Sequence, residues 1–468
     1  MTTRFSSAMF LTICLVAFAP VSAGEHVPGL AVSFDRAAGE IKPLHGVNNS
    51  PVQYGDAIAS FREAGIPFAR LHDTAGAFGG THFVDIPNVF PDFDADPADP
   101  ASYDFAFTDA YIKSLVSSGT EVFYRLGVTI ENHHRIKAYH IHPPADFDKW
   151  ARICEGIVRH YNEGWANGFQ YNIRYWEIWN EPENPPMWTG TKEQYFELYR
   201  VAANHLKSCF PNLKVGGYAG CGFYAVTREN VPDFHKSFIT WFDDFLAFVS
   251  AKATASPLDF YSWHLYTDDV TEIIRHADYV RARLDKFGFT RTESIFDEWN
   301  RMNGSKHVFD EMRAMPGAVF VSAAFSLMQN SSIDKAMYYD ALPTRSYGGL
   351  YYFPSCTVTK TYYSFKMFNA LYQLKHAVQS NSSVEHITVT AARNDAKAAV
   401  FITNRGDTEC SLPLALSGLP EGFAAATFFL LDETHDMAQV RTEPVTPGEA
   451  TLQLTLPAKS VLLVEITK

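Results

Sequence analysis

The sequence predicts an α/β fold: a (β/α)8 TIM barrel with an accessory antiparallel β-sandwich. Three observations carry this. Short apolar runs of strand length alternate with helical stretches eight times within residues 43–377. Two of those runs end in a glutamate beside Trp and Asn, as a barrel presents functional groups at the carboxyl ends of its strands. From residue 378 to 468 the texture becomes short alternating strands and turns.

The barrel strands are expected at residues 44–48, 68–72, 121–126, 175–180, 214–217, 259–266, 294–299 and 335–339. Between them, residues 53–64, 109–118, 146–161, 192–208 and 237–250 place apolar side chains at three- and four-residue spacing, the helical period. Gly65, Gly119 and Gly288 fall where helices should stop. A last barrel helix is expected over residues 360–376 and sandwich strands at 386–390, 398–403, 424–431, 451–456 and 460–466. Residues 24–42 hold one or two strands that precede the barrel rhythm, and these are assigned to the sandwich.

Length and composition fit a folded chain of one large and one small domain, with 47% apolar and 15% aromatic residues. Residues 1–23 read as a signal peptide: Arg4, an apolar run, and Val21-Ser22-Ala23 before the cleavage point. The run is short of the ~20 residues a membrane span needs. A secreted or periplasmic protein is therefore expected, with no membrane span. Removing Arg4 takes the formal charge from −13 to −14, which argues against nucleic acid as a partner. Cys154, Cys209, Cys221, Cys356 and Cys410 lack the spacing of a zinc site or a disulfide scaffold and leave room for one bridge. No metal and no cofactor is expected.

The chemistry centres on Tyr175-Trp176-Glu177-Ile178-Trp179-Asn180-Glu181-Pro182. Glu181 is expected at a strand's end among Trp176, Trp179 and Trp188, where desolvation raises a carboxyl pKa and suits a general acid. Phe296-Asp297-Glu298-Trp299-Asn300 repeats the grammar on the seventh strand. Two such carboxylates across one mouth are what cleavage of a glycosidic bond with retention requires, Glu298 as nucleophile and Glu181 as acid and then base. Arg70, His264 and Tyr266 are candidates to keep Glu298 ionised, and Asn180 to contact the sugar 2-hydroxyl. Trp179, Trp188 and Trp299 offer flat faces on which a sugar can stack, and His133 and His134 offer polar contacts. Asp297 is expected to point away from its neighbour Glu298, as alternate strand residues do, and is read as structural.

Trp179-Asn180-Glu181-Pro182, Trp188, Tyr195-Phe196-Glu197-Leu198-Tyr199, Lys207 and Lys214-Val215-Gly216-Gly217 together resemble glycoside hydrolase family 39, as do Pro143-Pro144, Arg159-His160-Tyr161, Arg70-Leu71-His72 and Glu298-Trp299-Asn300. The resemblance implies a retaining (β/α)8 glycosidase with Glu181 as acid/base and Glu298 as nucleophile, and places His72 with Arg70 among the substrate-binding residues. It implies a β-xylosidase-like activity on an oligosaccharide or polysaccharide. The alternatives are an α-L-iduronidase, an arabinosidase, an endo-glycosidase on an exopolysaccharide, or a non-catalytic carbohydrate-binding protein. Tyr218 stands where members often have Pro, and Asp73 where Gly often follows Arg-x-His, so the sugar is left open.

Overall fold

The computed structural model describes residues 29–51, 55–74, 82–129, 141–185, 187–302, 308–343 and 347–468. The signal-peptide reading and the contacts assigned to His133 and His134 lie outside the described residues.

After strand β1 (Leu30–Glu40), eight parallel strands close a barrel in chain order: β2 (Gly46–Asn48), β3 (Phe68–Leu71), β4 (Glu121–Leu126), β5 (Tyr175–Ile178), β6 (Lys214–Gly220), β7 (Phe260–Thr267), β8 (Glu293–Arg301) and β9 (Lys335–Tyr338). β9 returns to pair with β2, and each strand overlaps one of the eight apolar runs. These runs are legible because a parallel strand is buried on both faces and reads as nearly continuous apolar sequence.

Alternation sorts the barrel interior into layers. Phe68, Phe123, Tyr175, Phe260, Ile295 and Met337 form an apolar plug. Two residues further along their strands, Arg70, Arg125, Glu177, Ser262 and Asp297 are likewise fully buried, so a charged layer rests on the plug. Outward side chains such as Trp176, Trp263 and Phe296 pack under the surrounding helices in the main core.

The helices carry strong local signals. The Thr191 side chain accepts from Gln194 N while the Gln194 side chain accepts from Thr191 N, a reciprocal cap that starts the helix Lys192–Cys209. Asp146 caps Phe147–Glu163, and Gly164 ends it in the left-handed conformation (φ 75°).

The accessory domain is one continuous sheet of nine strands rather than two separate sheets. It comprises β1 with β10 (His376–Ser382), β11 (Ile387–Arg393), β12 (Lys397–Asn404), β13 (Cys410–Leu419), β14 (Ala425–Leu431), β15 (Asp436–Pro444), β16 (Gly448–Leu456) and β17 (Ser460–Thr467). Its order is β15-β14-β17-β12-β11-β10-β1-β13-β16. Leu452 and Leu454 from one end share a core with Phe428 from near the other, so the sheet curls over itself. β1 lies between β10, antiparallel, and β13, parallel. Sequence reading passed over β10, β13 and β15: Pro413 interrupts the second, and the third is largely exposed and lacks apolar alternation. The outer face of the sheet packs on barrel helices; the rings of Phe401 and Phe368 are 6.0 Å apart, in the same core as Leu431, Val461 and Leu463.

Candidate active site

β5 ends at Ile178, and the chain then turns sharply: Trp179 (φ 77°) and Glu181 (φ 46°) both adopt left-handed backbone. Ala219 (φ 56°), across from them on β6, does the same. Such conformations cost of order 1–3 kcal/mol each in non-glycine residues and persist where surrounding bonds over-determine them. Here Trp179 N donates to Leu126 O (2.7 Å), Glu181 N to Ala219 O (3.0 Å) and Ala219 N to Ser262 Oγ (2.9 Å). Gly217 (φ 150°) admits the close approach of β6, since a Cβ there would lie 2.8 Å from Ile178 O. Glu181 therefore stands three residues beyond the strand, aimed over the mouth by a strained turn.

Glu298 is brought to the same mouth by a β-bulge. Trp263 pairs with Phe296 but His264 with Glu298, and on the other side Ala336 pairs with Phe296 but Tyr338 with Trp299. β8 thus carries one extra residue at Asp297, and two consecutive carboxylates reach the interior. This corrects the reading of Asp297 as pointing away: Arg70 Nε lies 3.0 Å from Asp297 Oδ2 while Arg70 Nη1 lies 3.2 Å from Glu298 Oε2.

Arg70 is the hub of the buried layer. It donates to Glu177 Oε2 (2.8 Å), Asn48 Oδ1 (3.0 Å), Glu298 Oε2 (3.2 Å) and Asn180 Oδ1 (2.6 Å). Burial works against its charge, but Glu177, Asp297 and Glu298 outweigh that and hold the guanidinium firmly protonated. The Asn180 carbonyl is taken by this bond, which leaves its amide NH2 to act as a donor. Asp73 is not the partner of Arg70; it accepts from the Tyr339 hydroxyl (2.6 Å) and lies 3.5 Å from His72 Nε2. Burial first, then the charges of Arg70, Arg125 and His264, push His72 well below its ordinary value, so it stands neutral at the mouth.

Tyr266 donates to Glu298 Oε1 (2.7 Å). His264 sits between the two carboxylates, its Nδ1 2.8 Å from Glu181 Oε1 and 3.7 Å from Glu298 Oε2. The shorter contact goes to Glu181, so His264 meets that carboxylate more closely than Glu298, which it was expected to support. One oxygen of Glu181, one of Glu298 and a ring nitrogen of His264 all lie within 4.8 Å of one another. Retaining glycosidases hold their two carboxyl groups about 5 to 5.5 Å apart.

Desolvation does act on Glu181, but its net effect is not the rise expected from the tryptophan surroundings. Burial pushes the carboxyl up; the hydrogen bond and charge of His264, with hydrogen bonds from Asn184 and Cys221, outweigh it and hold Glu181 below its ordinary value. Glu183, just beyond, is pushed up to about 8, chiefly by burial.

The three tryptophans offered for sugar stacking are not available for it. Trp299 is fully buried against Phe296, Phe325 and Tyr338, because the bulge returns it to the outward face. Trp188 is 4% exposed, edge-on to Trp179 and Tyr195, and Trp179 is itself fully buried. The aromatic faces at the mouth are instead tyrosines: Tyr347 lies 5.7 Å from Tyr266 and 5.4 Å from Tyr339, and senses the charges of both Glu298 and Glu181. Tyr339, Tyr347, Cys221 and Glu177 were not singled out from sequence. Glu177 was legible there, since it shares the inward face of β5 with Tyr175.

Glu155, His205 and Cys209 group on the outer helices away from the mouth, but Glu155 is already engaged by Arg159 (2.7 Å) and His205 (2.6 Å). All five cysteines among the described residues are free thiols.

The curated β-xylosidase of Geobacillus stearothermophilus is 34% identical over 158 residues, 33% of this chain and 25% of that protein, so the match spans a quarter of the relative's length. Among solved structures, a glucosidase from Croceicoccus marinus superposes with a TM-score of 0.75 at 23% identity, covering 94% of this chain and 99% of that one. A monomeric β-xylosidase from Caulobacter crescentus gives 0.69 at 17% identity, with 94% and 99% covered. Both share the fold. The family model for glycosyl hydrolases family 39 matches residues 84–324, a span that holds Glu181, His264 and Glu298 and more than half of the chain, and the chain belongs to that family.

Proposed function

We propose that this protein is a retaining O-glycoside hydrolase that cleaves β-xylosides or closely related neutral glycosides by double displacement, exported from the cell. The observation that carries the reading is the pair of carboxylates, Glu181 and Glu298, with oxygens within 4.8 Å across the barrel mouth. An approach this close supports the narrow spacing of retaining pairs, in which the second carboxylate attacks directly, over the wider spacing that leaves room for a water.

In the first step Glu298 Oε2 or Oε1 bonds to the anomeric carbon as the glycosidic bond breaks, and Glu181 gives its proton to the leaving oxygen. In the second, Glu181 takes a proton from water, whose oxygen displaces Glu298. Tyr266 and Arg70 hold the nucleophile in place through both steps. A neutral sugar is favoured by the charge of the mouth. Arg70 is occupied by three carboxylates, and Asp73 adds an acidic group nearby, so a uronate carboxylate would find no cation free to pair with it there. The resemblance to the Geobacillus β-xylosidase supports xylose over the other neutral sugars.

The test is hydrolysis of aryl xyloside, arabinoside, glucoside and iduronide by wild type, Glu181→Ala and Glu298→Ala, with azide. The expected outcome is highest activity on the β-xyloside, a β-glycosyl azide from Glu181→Ala and an α-glycosyl azide from Glu298→Ala. A wild type inert on all four, with both variants equally inert, would overturn it.

A further inference from the structure

With Trp179, Trp188 and Trp299 sealed, open aromatic surface is found in the chain that follows β6. Phe234, the second residue of the helix Asp233–Ser250, is 52% exposed, and Val226, on the short helix Tyr224–Thr227 before it, 41%. One exposed ring on a surface needs no explanation, but one that ends a row of rings leading out of an active site does.

The row starts beside the catalytic groups. The Tyr224 hydroxyl accepts from Tyr266 N (3.2 Å), the backbone of the residue that donates to Glu298, and Tyr224 is near enough to Glu181 to feel its charge. The His235 ring lies 5.0 Å from that of Tyr224, and the Phe234 ring 4.1 Å from that of His235. Barrel helices begin on the face where the strands end, so Asp233–Ser250 starts at the mouth and the row runs along its rim.

The inner end of the row is built rather than incidental. Arg228 lies over the Tyr224 ring, 4.4 Å from its centroid, and is itself fixed by Glu272 (2.7 and 2.8 Å) and by Tyr266 O (3.0 Å). A Cβ on Gly222 would come within 2.8 Å of the Tyr224 ring, so the loop needs glycine there for the ring to fit. Among the described residues the Tyr224 O–H has no acceptor, which leaves it as a donor for a ligand. The row offers no free charge: Arg228 pairs with Glu272 and Asp233 with Lys236, while burial, then the charge of Arg228, keeps His235 below its ordinary value and neutral at pH 7.

Ring faces with a hydroxyl donor and no free charge suit a neutral sugar, whose C–H faces stack and whose hydroxyls accept. Glu181 protonates the leaving oxygen, so the leaving group departs on its side, where the row begins. Resting on the glycosidase reading above, we propose that Tyr224, His235 and Phe234 form the subsites of the leaving group, Tyr224 and His235 holding its first sugar and Phe234 its second. The preferred substrate is then a neutral oligosaccharide of three or more sugars rather than a disaccharide.

The experiment measures kcat/KM on phenyl β-xyloside, xylobiose and xylotriose, or on phenyl β-glucoside, cellobiose and cellotriose if the aryl glucoside is cleaved faster. Calorimetric binding of the same sugars to Glu181→Gln reads the subsites without turnover. Binding energy from a remote sugar shows in kcat/KM, so the wild type is expected to gain about 3- to 10-fold from the disaccharide to the trisaccharide. Phe234→Ala should lose that gain in both kinetics and binding, whereas Phe353→Ala, which removes an exposed ring outside the row, should keep it. Tyr224→Phe should lower the disaccharide relative to the phenyl glycoside by about 3- to 10-fold, because a phenyl leaving group has no hydroxyl to accept from it. A merely structural role would lower both alike.

Equal kcat/KM on disaccharide and trisaccharide in the wild type, or a full length gain in Phe234→Ala, would overturn the proposal. So would a self-association in sedimentation that Phe234→Ala abolishes while the length gain stays, which would make the ring a contact between copies. A wild type that cleaves the phenyl glycoside without any length gain fails the subsites and leaves the glycosidase reading intact. One that cleaves nothing, while Glu181→Gln binds the trisaccharide more tightly through Phe234, fails the glycosidase reading alone.

Discussion

The Tyr266 hydroxyl donates to Glu298 Oε1 at 2.7 Å, on the side of the carboxylate opposite Arg70. Glu298, the proposed nucleophile, is thus held by one donor on each oxygen. A hydrogen bond to a charged group contributes about 1.5–3 kcal/mol. Tyr266→Phe is therefore expected to lower kcat/KM by roughly 10- to 100-fold while leaving the thermal midpoint close to wild type, as steady-state kinetics and calorimetry would measure.

Arg70 is expected to matter for stability as well as for catalysis. Removing one partner of a buried charge cluster leaves the others uncompensated, typically at a cost of about 3–5 kcal/mol. Arg70→Met should lower the denaturant midpoint by that order and abolish turnover. Arg70→Lys should rescue little, because one ammonium cannot reach Glu177 and Asn180 in the forked arrangement, at 2.8 and 2.6 Å, that the guanidinium spans.

Gly217→Ala tests whether the turn bearing Glu181 depends on the close approach of β6. The new Cβ would collide with Ile178 O, and the φ of 150° suits glycine. A loss of about 1–3 kcal/mol in stability is expected. A displaced Glu181 should reduce kcat more than it raises KM, and equal effects on both would count against this account.

Stability should depend on pH through Glu183. Its carboxyl is raised to about 8 when folded, so the native state binds more protons than the unfolded chain between about pH 4.3 and 8. The favourable contribution is complete below that window and declines as pH rises through it, by up to about 1.4 kcal/mol per pH unit. Glu183→Gln cannot ionise. The difference in unfolding free energy, variant minus wild type, should grow in favour of the variant from pH 5 to pH 8; a flat difference would refute the assignment.

The barrel was readable because its strands are buried on both faces, and Glu181 and Glu298 because acids rarely end apolar runs between Trp and Asn. What escaped was everything that breaks a period. Alternation places Asp297 and Glu298 on opposite faces, and only the extra residue in β8 brings both inside and turns Trp299 outward. His264 was assigned to Glu298 alone because a strand position says which way a side chain points, and not that it reaches two neighbours, Glu181 at 2.8 Å and Glu298 at 3.7 Å. Tyr347 follows the last strand in irregular chain, where no period exists to be read.

The placement of β1 has a consequence for how the chain is made. Leu30, Val32 and Phe34 bury themselves between β10 and β13, partners that begin more than three hundred residues later in the chain. During synthesis the first strand leaves the ribosome with its apolar face uncovered and waits while the entire barrel is translated. Contacts of such sequence separation form late. Any chaperone or export factor that accompanies this protein has its longest task at the amino-terminal end, and a chain stalled before residue 410 would leave that end without its β13 partner.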